Sequence, residues 1–216
     1  SGPLKVERGP ASTPLFHAFF EAVQQAGFDL TQDVNGFRQE GFAAFDKNVF
    51  RGRRLSAARA YLHPIMSRPN LEVVCRAHAL DIRFEGNRAV GIKYQNRGKT
   101  ENAEAGEIIS CGGAFNSPQL LQLSGIGRAE ELEPLGIQMV QELPGVGENL
   151  QDHLEVYVQQ ACTRPVSMQP ALRWWNKPWI GFQWLFLRQG PAATNHFEAG
   201  GFARSNDEVA YPNLMF

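Results

Sequence analysis

The segment from Glu107 to Gly127 constrains this chain more than any other. Glu107-Ile-Ile-Ser-Cys-Gly112 is a short apolar run of the length of a buried strand, and Gly112-Gly113 breaks it. Ser117 is a favoured N-cap residue, and Pro118 has the fixed φ that suits a first helical position. Leu120, Leu121 and Leu123 then give a short apolar helix, which Gly125 and Gly127 stop. The expected unit is strand, glycine turn, helix. Such a unit either presents backbone N–H groups and a helix N-terminus to a nucleotide phosphate or simply joins a sheet to a helix. On this segment alone both readings stand.

The rest of the chain alternates short helical and strand patterns. Thr13, Pro14 and a face of Leu15, Phe19, Ala22 and Val23 predict a helix over 13–26, ended by Gly27. Residues 29–50 have no steady period and read as a loop pinned by Phe37, Phe42, Phe45 and Phe50. Ser56 to Leu62 reads as a second helix ending at Pro64. Between Asn70 and Tyr94 apolar residues alternate, with a hairpin turn at 85–88 and another near 96–98, so a β-meander is expected there. Residues 103–109 should return to the main sheet. Residues 129–135 should be a helix capped by Gly136, and residues 137–140 and 154–163 strands. Residues 171–187 read as a helix that Pro178 kinks or splits. Two antiparallel strands are expected over 197–204 and 213–216.

Composition removes several classes. A net charge of −1 gives no electrostatic signal for nucleic acid. Cys75, Cys111 and Cys162 are widely spaced with no CxxC pair, so neither a disulfide framework nor a zinc site is read. No apolar run approaches the ~20 residues of a membrane helix. With no leader pattern read either, a cytoplasmic or membrane-peripheral location is expected.

Longer motifs narrow the reading. Gly113-Ala-Phe-Asn-Ser-Pro-Gln-Leu-Leu-Gln-Leu-Ser-Gly-Ile-Gly127 resembles the second signature of the glucose–methanol–choline family of flavin oxidoreductases, and Leu143-Pro-Gly-Val-Gly-Glu-Asn-Leu-Gln-Asp-His153 resembles its next landmark. Gly2-Pro-Leu-Lys-Val6 and Gly52-Arg-Arg-Leu-Ser-Ala-Ala-Arg-Ala-Tyr-Leu62 look like its upstream elements. Arg173-Trp-Trp-Asn-Lys-Pro178 and Asn195-His-Phe-Glu-Ala-Gly-Gly-Phe202 are similar to its choline-oxidising branch.

The resemblance implies an α+β fold. Partial Rossmann-like FAD-binding elements with a β-meander would occupy residues 1–153, and part of an antiparallel-sheet substrate domain residues 154–216. It implies FAD as cofactor and a small alcohol, choline, as substrate, with the electron acceptor open. Cofactor-side residues would be Ala79, touching the adenine through its backbone, with Cys111, Gly112, Ser117, Asp152 and His153. An ordinary hairpin at Ala79 and a satisfied loop pair at Asp152–His153 are equally weighted alternatives. Gly125-Ile-Gly127 and Gly145-Val-Gly147 each lack the third glycine of a Gly-x-Gly-x-x-Gly turn, and the family's catalytic histidine would fall beyond Phe216. The chain is therefore expected to resemble the middle of an enzyme. By itself it should hold no FAD tightly, oxidise no alcohol, carry no catalytic residue and self-associate through exposed edges.

Glu198 is the carboxylate to explain. Phe197, Ala199, Gly200, Gly201 and Phe202 surround it with apolar or small residues, where a charge is costly unless paired. A quaternary ammonium could be that partner, being recognised by charge and aromatic faces. In the choline-oxidising branch a matching glutamate faces the substrate's ammonium, so Glu198 is expected to bind substrate. The alternative is a salt bridge to Arg204 or another arginine, or an edge position in solvent. His196 would share a strand face with Glu198 and is not promoted to a base. The tryptophans over 174–184 read as core or interface. For the whole chain the alternatives are a sister dehydrogenase for an uncharged alcohol, or a binding or assembly module without flavin.

Overall fold

The computed structural model describes residues 2–216. They form two compact units: residues up to Leu71 together with Gln159–Phe216, and Glu72–Val158. The first unit begins with β1 (Glu7–Arg8) and α1 (Pro14–Gln25). Thr13 stands at the N-cap of α1 and Pro14 in its first turn, as the sequence predicts, and the chain leaves through Gly27 at φ +84°. The expected loop over 29–50 is instead partly strand. β2 (Gly41–Ala44), β3 (Asp46–Lys47) and β4 (Val49–Phe50) follow one another, and β5 (Arg53–Arg54) pairs with β4. These strands are too short to show a period of two. Phe42 is 3% exposed and packs edge-on or tilted against Phe19, Phe28 and Phe216, with ring centroids 5.9, 5.5 and 5.6 Å away. Phe37, expected to pin the segment, is fully exposed. The second helix is a π-turn over Ala58–Leu62 that tightens into a 3₁₀ turn, His63–Ile65, so Pro64 lies inside the helical stretch.

The second unit is built on the expected meander, β6 (Ala77–Glu85), β7 (Arg88–Asn96) and β8 (Lys99–Glu104), with turns at Gly86 and Gly98. The first of these strands starts at Ala77, so residues 70–76 lie outside it. The return to a main sheet is not seen: residues 105–112 form no strand. α2 (Gly113–Leu123) begins earlier than Ser117, and Pro118 sits inside it. A proline there removes one intrahelical hydrogen bond, a loss confined to the carbonyl one turn back. Gly125, at φ +84°, ends the helix as expected. β9 (Ile126–Gly127), α3 (Ala129–Leu132) with a 3₁₀ turn capped by Gly136, and β10 (Gln141–Glu142) follow, β9 and β10 pairing in parallel. Residues 137–140 and 154–163 form no strand. Leu154, Val156 and Val158 do alternate, but all three are exposed and no strand among the described residues pairs with them.

The chain then returns to the first unit. The expected long helix is divided into α4 (Gln169–Leu172), a 3₁₀ turn (Trp174–Asn176), α5 (Lys177–Phe182) and a π-turn (Gln183–Leu187). Pro178 opens α5, where its missing N–H costs nothing. β11 (Ala199–Ala203) and β12 (Leu214–Met215) are antiparallel, as predicted. β2 completes this sheet on the other edge of β11, with Ala199 opposite Ala44 and Phe202 opposite Gly41. Among the described residues no helix is long and apolar enough to cross a membrane.

Candidate functional site

Glu198 immediately precedes β11 and is 5% exposed. Its Oε2 accepts the backbone N–H of Ala11 at 3.0 Å, and its Oε1 accepts the Thr194 hydroxyl. The ammonium of Lys47 lies 3.9 Å from Oε1, both side chains being almost fully buried. Three segments converge here: the turn leading into α1, β3, and the turn before β11. Their backbones are tied as well, since Gly9 N–H donates to Phe45 O at 2.8 Å and Phe45 N–H to Glu198 O at 2.9 Å. A Cβ at Gly9 would stand 3.1 Å from Glu198 Cβ, so only glycine allows the approach without adjustment. A carboxylate in this setting is tolerable because two donors and a cation compensate its lost hydration.

Lys47 is the residue that sequence reasoning missed. Adjacent residues of a strand point to opposite faces. Asp46 points outward, where it meets Arg8 at 3.3 Å, and Lys47 therefore turns inward. The charged pair Asp46-Lys47 inside an apolar stretch was the available signal. The alternative arginine partner for Glu198 is not realised: Arg204 pairs with Glu40 at 3.1 Å.

Glu198 and Lys47 share the wall of a cavity of about 520 Å³ with His196. Leu15, Phe16 and Met168 are among its apolar lining. His196 has φ +65°, so the two residues are not a strand pair as expected, yet both reach this cavity. None of the four tryptophans lines it. Trp184 is instead anchored by its indole N–H, which donates to Gly52 O at 2.8 Å. Trp174, Trp175 and Trp179 are exposed.

The other six expected residues all belong to the second unit. Ala79 lies on β6, an edge strand, opposite Tyr94 and beside a register shift. Cys111 and Gly112 are exposed at the start of α2. Ser117 reaches back from inside that helix, its Oγ accepting Gly112 N–H at 3.0 Å and the Ser110 hydroxyl at 3.1 Å. Asp152 Oδ1 accepts His153 N–H at 2.7 Å, with His153 Nδ1 at 3.5 Å. That backbone hydrogen bond holds the Asp152 carboxyl below its ordinary pKa, though both side chains stand in solvent. Cys111, Gly112 and Ser117 are thus brought together at one helix start, and Asp152 with His153 in a separate loop.

The description of the GMC oxidoreductase family matches residues 1–155. An oxygen-dependent choline dehydrogenase of Staphylococcus haemolyticus (strain JCSC1435) is 59% identical over 215 residues, and that of Staphylococcus aureus (strain Newman) 60% identical. Each alignment covers 100% of this chain and 38% of the relative, so the chain spans well under half the length of these curated relatives. Among solved structures, formate oxidase superposes with a TM-score of 0.81 at 23% identity, over 96% of this chain and 38% of the other. Pyridoxine 4-oxidase from Mesorbium loti gives a TM-score of 0.63 at 29% identity, over 67% of this chain and 29% of the other.

Proposed function

The chain belongs to the GMC oxidoreductase family, and from that membership we propose that the whole protein is an FAD-dependent alcohol dehydrogenase acting on choline. Residues 1–153 belong, in this reading, to the FAD-binding side and residues 154–216 to the substrate side. The residues of the second unit are of a kind that fits FAD. The first turn of α2 begins at exposed Gly113, just after exposed Gly112, and first-turn amides without backbone partners one turn back suit a pyrophosphate or a carbonyl of the flavin. Ala79 lies on an edge strand, where a base would meet backbone on the side that has no strand neighbour. FAD, when bound, supplies the hydride acceptor for the alcohol carbon.

The carrying observation is the Glu198 carboxylate in the wall of a largely apolar cavity. Trimethylammonium has no N–H to donate, so a fixed negative charge and an apolar wall are what recognise it. Ala11 and Thr194 orient the carboxylate by donating to it, and neither competes as a cation. Glu198 thereby binds and orients the alcohol and takes no proton. Lys47 favours a second reading, a dehydrogenase for an uncharged alcohol, because it already offsets the Glu198 charge.

Glu198→Gln in the full-length enzyme separates the two. Loss of a partly screened charge pair is worth about 1–3 kcal/mol, so apparent affinity for choline should fall roughly tenfold to a hundredfold. The alcohol bearing tert-butyl in place of trimethylammonium should be unaffected. Equal weakening of both alcohols, or lost turnover with choline binding intact, would refute the ammonium role. Self-association belongs to the same proposal: exposed Trp179, Phe182 and Phe186 lie ring against ring, with centroids 5.4 and 4.9 Å apart, and light scattering against concentration tests it.

A further inference from the structure

Resting on the reading of Glu198 above, we infer that Lys47 is a specificity-determining residue: it sets how strongly this pocket prefers a cationic alcohol over a neutral one. Lys47 Nζ and Glu198 Oε1 are 3.9 Å apart, beyond direct hydrogen-bonding distance, and the two side chains are 7% and 6% exposed. Both line the same cavity. Opposite charges on one wall partly cancel at any point inside it. A cationic guest therefore meets the attraction of Glu198 reduced by the repulsion of Lys47, while a neutral guest of the same shape is indifferent to both.

The geometry also keeps Lys47 from being a mere tether. Glu198 is already held by Ala11 N–H and the Thr194 hydroxyl, so its position does not depend on the ammonium. Lys47 instead compensates the buried carboxylate while the pocket contains no cation. Attenuated ground-state binding is of use when substrate and product keep the same cation, since binding both tightly speeds neither chemistry nor release.

The test uses the full-length FAD-loaded enzyme, choline, and its tert-butyl isostere. Lys47→Met keeps most of the length of the side chain and removes the charge. The ratio of kcat/KM for choline to that for the isostere should rise about tenfold, the size expected for one charge acting across a few ångströms in a partly screened site. Lys47→Arg should keep the wild-type ratio. An unchanged ratio in Lys47→Met, or equal changes with both alcohols, overturns the inference. Should Lys47→Met fail to fold because Glu198 is left unpaired, Lys47→Met/Glu198→Gln is compared with Glu198→Gln alone. With the carboxylate gone Lys47 only repels, so the double variant should bind choline about tenfold more tightly than the single one. Equal binding by the two overturns the inference. The underlying reading fails separately: its signature is Glu198→Gln leaving the wild-type ratio intact.

Discussion

Ser124 joins α2 to the meander: its Oγ accepts the backbone N–H of Ile82 at 2.8 Å and donates to Leu120 O. Ser124 is 7% and Ile82 8% exposed, so the Ile82 amide has no water to turn to. Ser124→Ala should therefore cost about 1–3 kcal/mol, the penalty of a buried donor left unsatisfied. Urea unfolding followed by circular dichroism, with Ser124→Thr as a hydroxyl-retaining control, measures it. An alanine variant as stable as wild type would mean that the Ile82 amide is hydrated.

Gly27 and Gly125 share φ +84°, but their surroundings differ. A Cβ on Gly27 would meet nothing within 4 Å, whereas one on Gly125 would lie 2.2 Å from Gln138 O. Gly27→Ala should show only the strain of a left-handed residue, about 1 kcal/mol. Gly125→Ala adds a collision with backbone and should lose at least about twice that. Equal losses in thermal melts of the two variants would rule out the close approach of Gln138.

The sequence pattern is sufficient where a residue's own chemistry decides its conformation. Pro14, Gly27, Gly86, Gly125 and Gly136 each mark a boundary that the structure keeps, because φ restriction or freedom is local. It is insufficient where partners decide. Leu154 to Val158 alternates like a strand yet has no strand beside it among the described residues, and β2 to β4 have partners but are too short to alternate. Ser117-Pro118 misleads because a proline is tolerable within α2 at the loss of one hydrogen bond. At the site, Glu198 is legible from its apolar neighbours and from the family resemblance. Lys47 is not, since the pair spans 151 positions, 198 less 47, and no local pattern encodes such a distance.

Arg204 holds the Glu40 carboxyl below its ordinary pKa of 4.5, first through a side-chain hydrogen bond, opposed by partial desolvation. A folded pKa below the unfolded one means that the pair stabilises the fold above the unfolded value. The contribution disappears as pH falls through the folded value. Arg204→Met should therefore lower the unfolding midpoint slightly at pH 7, and the gap from wild type should close below pH 4.5. A gap that persists in acid would assign the effect to packing of the arginine stem.

Thr194 supplies one hydroxyl to two neighbours, donating to Glu198 Oε1 and accepting His196 N–H at 3.3 Å. Valine has nearly the same shape and neither function. In Thr194→Val the carboxylate loses a charge-assisted hydrogen bond, which in a site this buried is worth about 1.5–3 kcal/mol. The effect should also reach the substrate, because Oε1 is the oxygen nearer Lys47 and would be free to swing toward the ammonium. Apparent affinity for choline should then fall several-fold, with the tert-butyl isostere little changed, since a carboxylate drawn onto Lys47 presents less field to the cavity. Thr194→Ser keeps the hydroxyl and should restore both stability and the preference for choline. If serine rescues neither, the methyl group and not the hydroxyl is what the turn before β11 requires. If valine lowers stability while the choline preference stays at the wild-type ratio, the Thr194 hydrogen bond holds the fold but does not aim Glu198.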